Sequence, residues 1–133
     1  MAVNFPPIKI LYILSKKGVA GSVKAFNKLE SKLATFKSRK FYGLIWGVPP
    51  NETYWACVAL TDRDKPDLMG CNIGIIPGGK YVQKRIYDWE NNLSSIEETF
   101  RELINTNNVD IKRPSIEFYH RMNYMVAMMP VRG

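Results

Sequence analysis

Apolar positions along this chain recur with two different periods, and the periods follow one another in the same order twice. Between Ile8 and Leu14, the residues Ile8, Ile10, Tyr12 and Leu14 share one face of an extended segment, with Leu11 and Ile13 on the other. That near-continuous apolar character predicts an interior strand. Lys16-Lys17-Gly18 breaks it, and the period then lengthens. Val23, Phe26, Leu29 and Leu33 lie three or four apart, the core stripe of a helix over 22–35 with Ser22 as its N-cap. Alternation returns in Lys40–Gly47, is stopped by Val48-Pro49-Pro50-Asn51, and resumes in Thr53–Leu60 at hairpin distance.

The charged stretch Thr61–Gly70, with Pro66 inside it, reads as the longest loop and as the boundary between two units. Ile73–Ile76 reads as a short strand before Pro77-Gly78-Gly79. This glycine pair is a turn rather than a phosphate loop, because no Walker lysine accompanies it and a strand follows. The first order then recurs as strand Lys80–Tyr87, helix Ser94–Asn105, and strands Pro114–His120 and Tyr124–Val131 around a turn at 121–123. Ser94 and Ser95, three residues before Glu97 and Glu98, have the spacing of a capping box. Ile96, Phe100, Leu103 and Ile104 make the second core stripe. In Lys80–Trp89, polar residues fall on both faces, which predicts an edge position or a wall of a wet cleft.

The predicted fold class is α+β: one domain over 1–133, built from a strand-helix-strand-strand module at about 6–62 and another at about 72–133. A mainly antiparallel sheet carries both helices on one face, leaving the other face solvated or covering a ligand. Seams between repeated units are common places for a ligand cleft.

Composition narrows the possibilities without naming a function. With 133 residues, 46% hydrophobic and 23% charged, the chain is long enough for one real core and is not compositionally disordered. No apolar run is long enough for a bilayer span, and the start has neither a basic leader segment nor a small-residue cleavage site, so a cytoplasmic location is expected. Cys57 and Cys71 are too few and too far apart for a metal knuckle or redox pair, and His120 is the only histidine. No metal or cofactor is expected. The net charge of +7 includes a stripe of Lys24, Lys28 and Lys32 along the first helix. It reads either as a solvated face or as a surface for phosphate backbones or anionic lipid.

The sharpest chemistry lies in Pro114-Ser115-Ile116-Glu117-Phe118-Tyr119. Alternation puts Glu117 and Tyr119 together, opposite Ile116 and Phe118. A carboxylate in an apolar, aromatic strand is costly to bury unless paired or protonated, which makes Glu117 a candidate for cation binding or proton transfer. The alternative is a solvent-facing glutamate, or one bridged to Arg85 or Arg121. Trp46, Tyr54, Tyr81, Tyr87, Trp89 and Tyr119 add flat rings suited to stacking planar molecules, and Met128 an adaptable wall, though strand aromatics also serve simple packing. Met122, Met125 and Met129 cluster with Met128 in the last hairpin.

The order Gly79-Lys80-Tyr81, an amphipathic helix, Pro114-Ser115-Ile116-Glu117-Phe118-Tyr119 and a last strand ending in Pro130-Val131 resembles the GyrI-like family. Tyr54 is similar to the tyrosine that leads the family's third strand. The family includes the effector-binding domains of bacterial multidrug-sensing regulators. The resemblance implies a pseudo-twofold pair of modules with a ligand groove at their seam, accepting bulky planar hydrophobic compounds by sensing or sequestration. Glu117, Tyr119, Trp46, Tyr54, Tyr81, Tyr87, Trp89 and Met128 are the ligand-binding candidates. Some relatives resemble hydrolases of cyclopropane-containing alkylating compounds, which would make Glu117 and Tyr119 catalytic. The family name reflects interference with DNA gyrase, so docking on gyrase, on nucleic acid or on a separate regulator is a further reading. Two departures stand out: no DNA-binding domain is expected within these 133 residues, and Val126 occupies the position of a last-strand glutamate found in some drug-sensing relatives.

Overall fold

In the computed structural model, which describes residues 2–121 and 124–132, every strand joins one antiparallel sheet. The strands are β1 (Ala2–Phe5), β2 (Ile8–Leu14), β3 (Phe41–Trp46), β4 (Thr53–Ala59), β5 (Asn72–Ile76), β6 (Gly79–Tyr87), β7 (Ser115–Arg121) and β8 (Tyr124–Pro130). The helices are α1 (Ser22–Glu30), the single turn α2 (Pro66–Met69) and α3 (Ser94–Thr106). Met122 and Asn123 of the expected last turn lie outside the described residues.

The strand order is β1-β6-β8-β7-β3-β4-β2-β5. Its centre is the β3–β7 pair, and on either side lie β4 then β2, and β8 then β6. The order is symmetric about that pair, as duplication of a strand-helix-strand-strand unit requires. The outermost strands are exchanged: β1 leads into β2 but pairs with β6, and β5 leads into β6 but pairs with β2. The two linkers meet, because a side chain at Gly78 would approach the Pro7 ring to 2.8 Å. That position tolerates only glycine without displacement.

Both long helices lie on one face. Ala25 and Leu29 of α1 pack on Leu11, Ile13, Ala56 and Val58, while Phe100 and Leu103 of α3 pack on Val82, Met125, Ala127 and Met129. The opposite face was expected to be solvated or to cover a ligand. Part of it carries a third core, in which Ile10, Tyr42, Leu44, Cys57, Ile76 and Tyr81 meet Ile116 and Met128, and beside that core the face stays open as a groove. An eight-stranded sheet twists enough to curl on itself, and the crossing linkers hold its two ends together.

Several local expectations shift. Ser22 is already helical, and Gly18–Gly21 forms a 3₁₀ turn before it, so α1 has no side-chain N-cap. The helix stops at Glu30 rather than at 35, but a tighter turn carries Leu33 onto the same core, so the apolar spacing continues past the helix end. Val23 and Ile104, read as core, are 72% and 49% exposed. No capping box forms in α3: the Ser95 hydroxyl donates instead to the Asn92 carbonyl at 2.6 Å.

Candidate functional site

The centre of the β3–β7 pair sets Gly43 directly opposite Glu117, and β4 sets Ala56 on the other side of Gly43. Alternation along β7 sends Glu117 and Tyr119 to the helix-bearing face, and alternation along β4 sends Tyr54 there too. With no side chain at Gly43, the Tyr54 hydroxyl crosses the gap. It donates to Glu117 Oε1 at 2.6 Å, and the Tyr119 hydroxyl donates to the same oxygen at 2.7 Å. A Cβ at Gly43 would overlap both the Tyr54 hydroxyl and Glu117 Oε1. The open backbone is a condition of the triad.

Aromatic rings cover this cluster. Phe26 of α1 stands edge-on to Tyr54 at 6.2 Å and to Tyr119 at 5.4 Å, and Trp89 tilts against Tyr119 at 5.2 Å. By strand alternation Trp89 would share the face of Tyr87. Asp88, in the left-handed region at φ 53°, ends β6 and turns Trp89 over to the helix-bearing side. Its indole N–H is buried with no hydrogen-bond partner among the described residues.

Glu117 is 5% exposed. Burial pushes its carboxyl above the ordinary range, and the two tyrosine hydrogen bonds pull it only part of the way back. Burial, with the Glu117 charge adding to it, also pushes both tyrosines upward, so they remain hydroxyl donors. No Lys, Arg or His among the described side chains pairs with Glu117. Bulk exposure and a bridge to Arg85 are both excluded, the latter because Arg85 lies on the other face. The Arg121 side chain lies outside the described residues. The arrangement is a buried acid held by two donors, able to switch between neutral and charged forms or to hold a cation.

The eight residues singled out from sequence divide between the faces. Glu117, Tyr119, Tyr54 and Trp89 come together on the helix-bearing side. Trp46, Tyr81, Tyr87 and Met128 lie on the helix-free side. Trp46 tilts against Trp55 at 5.2 Å, and Tyr81 is fully buried with its hydroxyl donating to the Pro77 carbonyl at 2.6 Å. Tyr87 tilts against Tyr124 at 5.6 Å. Met128 lines a groove of about 360 Å³ on that face. Sequence reasoning passed over Gly43 and took Phe26 only as core. A glycine inside Phe41-Tyr42-Gly43-Leu44-Ile45-Trp46 was the available signal, since an isolated strand glycine marks a close approach. Among the described residues no group of three or more His, Cys, Asp or Glu could hold a metal, and no helix is long and apolar enough to cross a membrane.

No protein-family model matches the sequence, and no curated protein matches it. Solved structures do. An integron cassette protein from the mobile metagenome of Vibrio cholerae is similar with a TM-score of 0.76 at 15% identity, over 99% of this chain and 95% of that one. They share one fold. The protein SAV2435, solved bound to tetraphenylphosphonium, has a TM-score of 0.67 at 13% identity, over 100% of this chain and 93% of its own. A hydrolase from Listeria innocua has a TM-score of 0.64 at 12% identity, over 99% and 90%.

Proposed function

We propose that this chain is a small-molecule-binding domain of the GyrI-like kind, which takes bulky planar or lipophilic cations against Glu117 in the seam between α1 and α3. One observation carries the reading: Glu117 is buried with no cationic partner among the described side chains, yet two tyrosines fix its carboxyl and aromatic rings cover it. A buried carboxylate is stable only when neutralised. A ligand cation would supply the opposite charge, and the rings of Phe26, Trp89 and Tyr119 would give its apolar body a surface to pack on. The cover is closed around the acid, so entry requires Phe26 and Trp89 to part. The tetraphenylphosphonium held by a protein of this fold supports the same ligand class. Sequestration, or sensing through a separate regulator, follows from such binding.

Titration with tetraphenylphosphonium, followed by tryptophan quenching, tests the proposal. We expect saturable binding, weakened at least about tenfold in Glu117→Gln, because the buried counter-charge is lost. Equal affinity in that variant would overturn the reading.

A second reading has its own observation. A carboxyl raised by burial and flanked by tyrosine donors keeps its proton longer than a free glutamate and is placed to hand it over. A hydrolase of cyclopropane-containing compounds would use Glu117 in this way, with Tyr119 orienting the substrate, and a hydrolase is among the proteins of this fold. Glu117→Gln would then lower turnover about 10²–10⁴-fold while a neutral substrate analogue still bound. Docking on gyrase or nucleic acid would rest instead on Lys24 and Lys28, exposed on α1, and would weaken steeply with salt.

A further inference from the structure

We propose that the groove on the helix-free face is a second binding site, for a small carboxylate with an apolar body. It does not depend on the seam site, from which the sheet separates it. Its floor is Phe118, Val126 and Met128, and Phe5 of β1 forms one wall. Its polar members are Gln83, Arg85, His120 and Tyr124, and no acidic side chain among the described residues lines it. The volume, about 360 Å³, lies within the range of small-molecule sites. The groove exists because β1 pairs only with Gly79–Val82, so β6 from Gln83 onward has no outer neighbour to fill the space.

The polar groups are organised rather than scattered. The Arg85 guanidinium lies 5.3 Å over the Tyr124 ring, the His120 ring stacks on Tyr124 at 5.0 Å, and the Tyr124 hydroxyl is 2.9 Å from His120 Nδ1. Neighbouring positions on β6 differ in a telling way. Lys84, on the helix-bearing face, is paired with Glu102 at 2.8 Å, whereas Arg85 forms no ion pair among the described residues. A guanidinium placed over a ring, with no ion pair among the described residues, is well suited to receive a carboxylate through two parallel hydrogen bonds.

At the other end, the groove continues into a cleft of about 70 Å³ that shares Phe5, Phe118 and Met128 and is otherwise lined by apolar and aromatic residues, among them Ile8, Tyr42, Ile76 and Ile116. A charged head at Arg85 and an apolar tail in this cleft is the ligand these two ends describe. The seam site would take the opposite charge, so the two sites are separable by experiment.

The probes are phenylbutyrate, phenylbutanol and phenylbutylamine, three heads on one body, titrated by calorimetry and by backbone amide NMR. We expect phenylbutyrate to saturate, to shift the amides of Gln83, Arg85 and His120, and to bind roughly five- to tenfold tighter than phenylbutanol, the scale of one partly exposed charge-assisted contact. Arg85→Gln should erase the preference for the acid, and Phe5→Ala should weaken acid and alcohol alike. Gln83→Glu, which sets a negative charge on the same rim, should repel phenylbutyrate but not phenylbutanol. Glu117→Gln should leave phenylbutyrate affinity unchanged, whatever it does to tetraphenylphosphonium. The proposal is overturned if phenylbutyrate shows no saturable binding, if acid and amine bind equally, or if the shifted amides are those of Tyr54, Glu117 and Tyr119 instead.

Discussion

A single missing side chain, at Gly43, decides whether the buried acid is held at all. Gly43→Ala would force the Tyr54 hydroxyl and the Glu117 carboxyl apart, since both occupy the space its methyl group needs. We expect a loss of about 1–3 kcal/mol, the cost of overpacking a fitted interior, read from the urea midpoint. Adding Tyr54→Phe should recover part of it, because one of the two overlapping oxygens is gone, and a double-mutant cycle would measure the recovery. Strict additivity would mean the overlap is relieved some other way. The carboxyl makes a separate prediction. Its folded-state pKa is raised above the unfolded value of about 4.3, so the native state holds its proton longer than the unfolded chain does. The stability this contributes is full below that value and is lost as pH rises through the raised one. Glu117→Gln should flatten that fall in a series of melts taken from acid to neutral pH.

At the scale of elements, apolar period and turn chemistry made the repeat legible: seven expected strands and both long helices are present, in the expected order. What escaped depends on long-range placement. β1 contributes four residues, too few to show a period, and is a strand only because β6 lies beside it. The Asp88 turn reverses the face of Trp89, an event no alternation rule carries. For the site, alternation correctly put Glu117 beside Tyr119, but the crossing of Tyr54 through the Gly43 gap depends on strand order. The loop read as a module boundary hides a further contact: two Arg39 nitrogens lie 3.1 Å from the two Asp64 oxygens, joining the segment before β3 to the segment after β4. Burial alone would raise the Asp64 carboxyl, yet the Thr61 N–H and the Arg39 charge win and lower it. Its contribution is therefore full above the unfolded carboxylate range and is lost as pH falls through the lowered value. Asp64→Asn should cost about 3 kcal/mol at neutral pH, since both side chains are nearly buried, and should weaken the acid-side decline in stability. Unchanged melting at neutral pH would show the pair to be ornamental.

The whole molecule is two similar halves fastened in a way that ties their fates together. Each half lends its first strand to the other, β1 to β6 and β5 to β2, and the linkers cross where Gly78 meets Pro7. Neither half can unfold without removing an edge strand from its partner and exposing the core on the helix-free face, which draws Ile10 and Cys57 from one half and Tyr81 and Met128 from the other. Unfolding should therefore be a single event, and the tryptophans offer a direct check. Trp46 and Trp55 report the first half and Trp89 the second. In a variant carrying Trp46→Phe and Trp55→Phe, the fluorescence transition in urea comes from the second half alone. In Trp89→Phe it comes from the first. Substitution itself shifts each variant's stability, so the comparison is made within each variant, between fluorescence and far-ultraviolet circular dichroism. We expect the two curves to coincide in both variants, the signature of a two-state transition. A fluorescence midpoint that departs from the dichroism midpoint in either one would mean that the exchanged strands do not couple the halves, and that the seam holding Glu117 can open while one half stays folded.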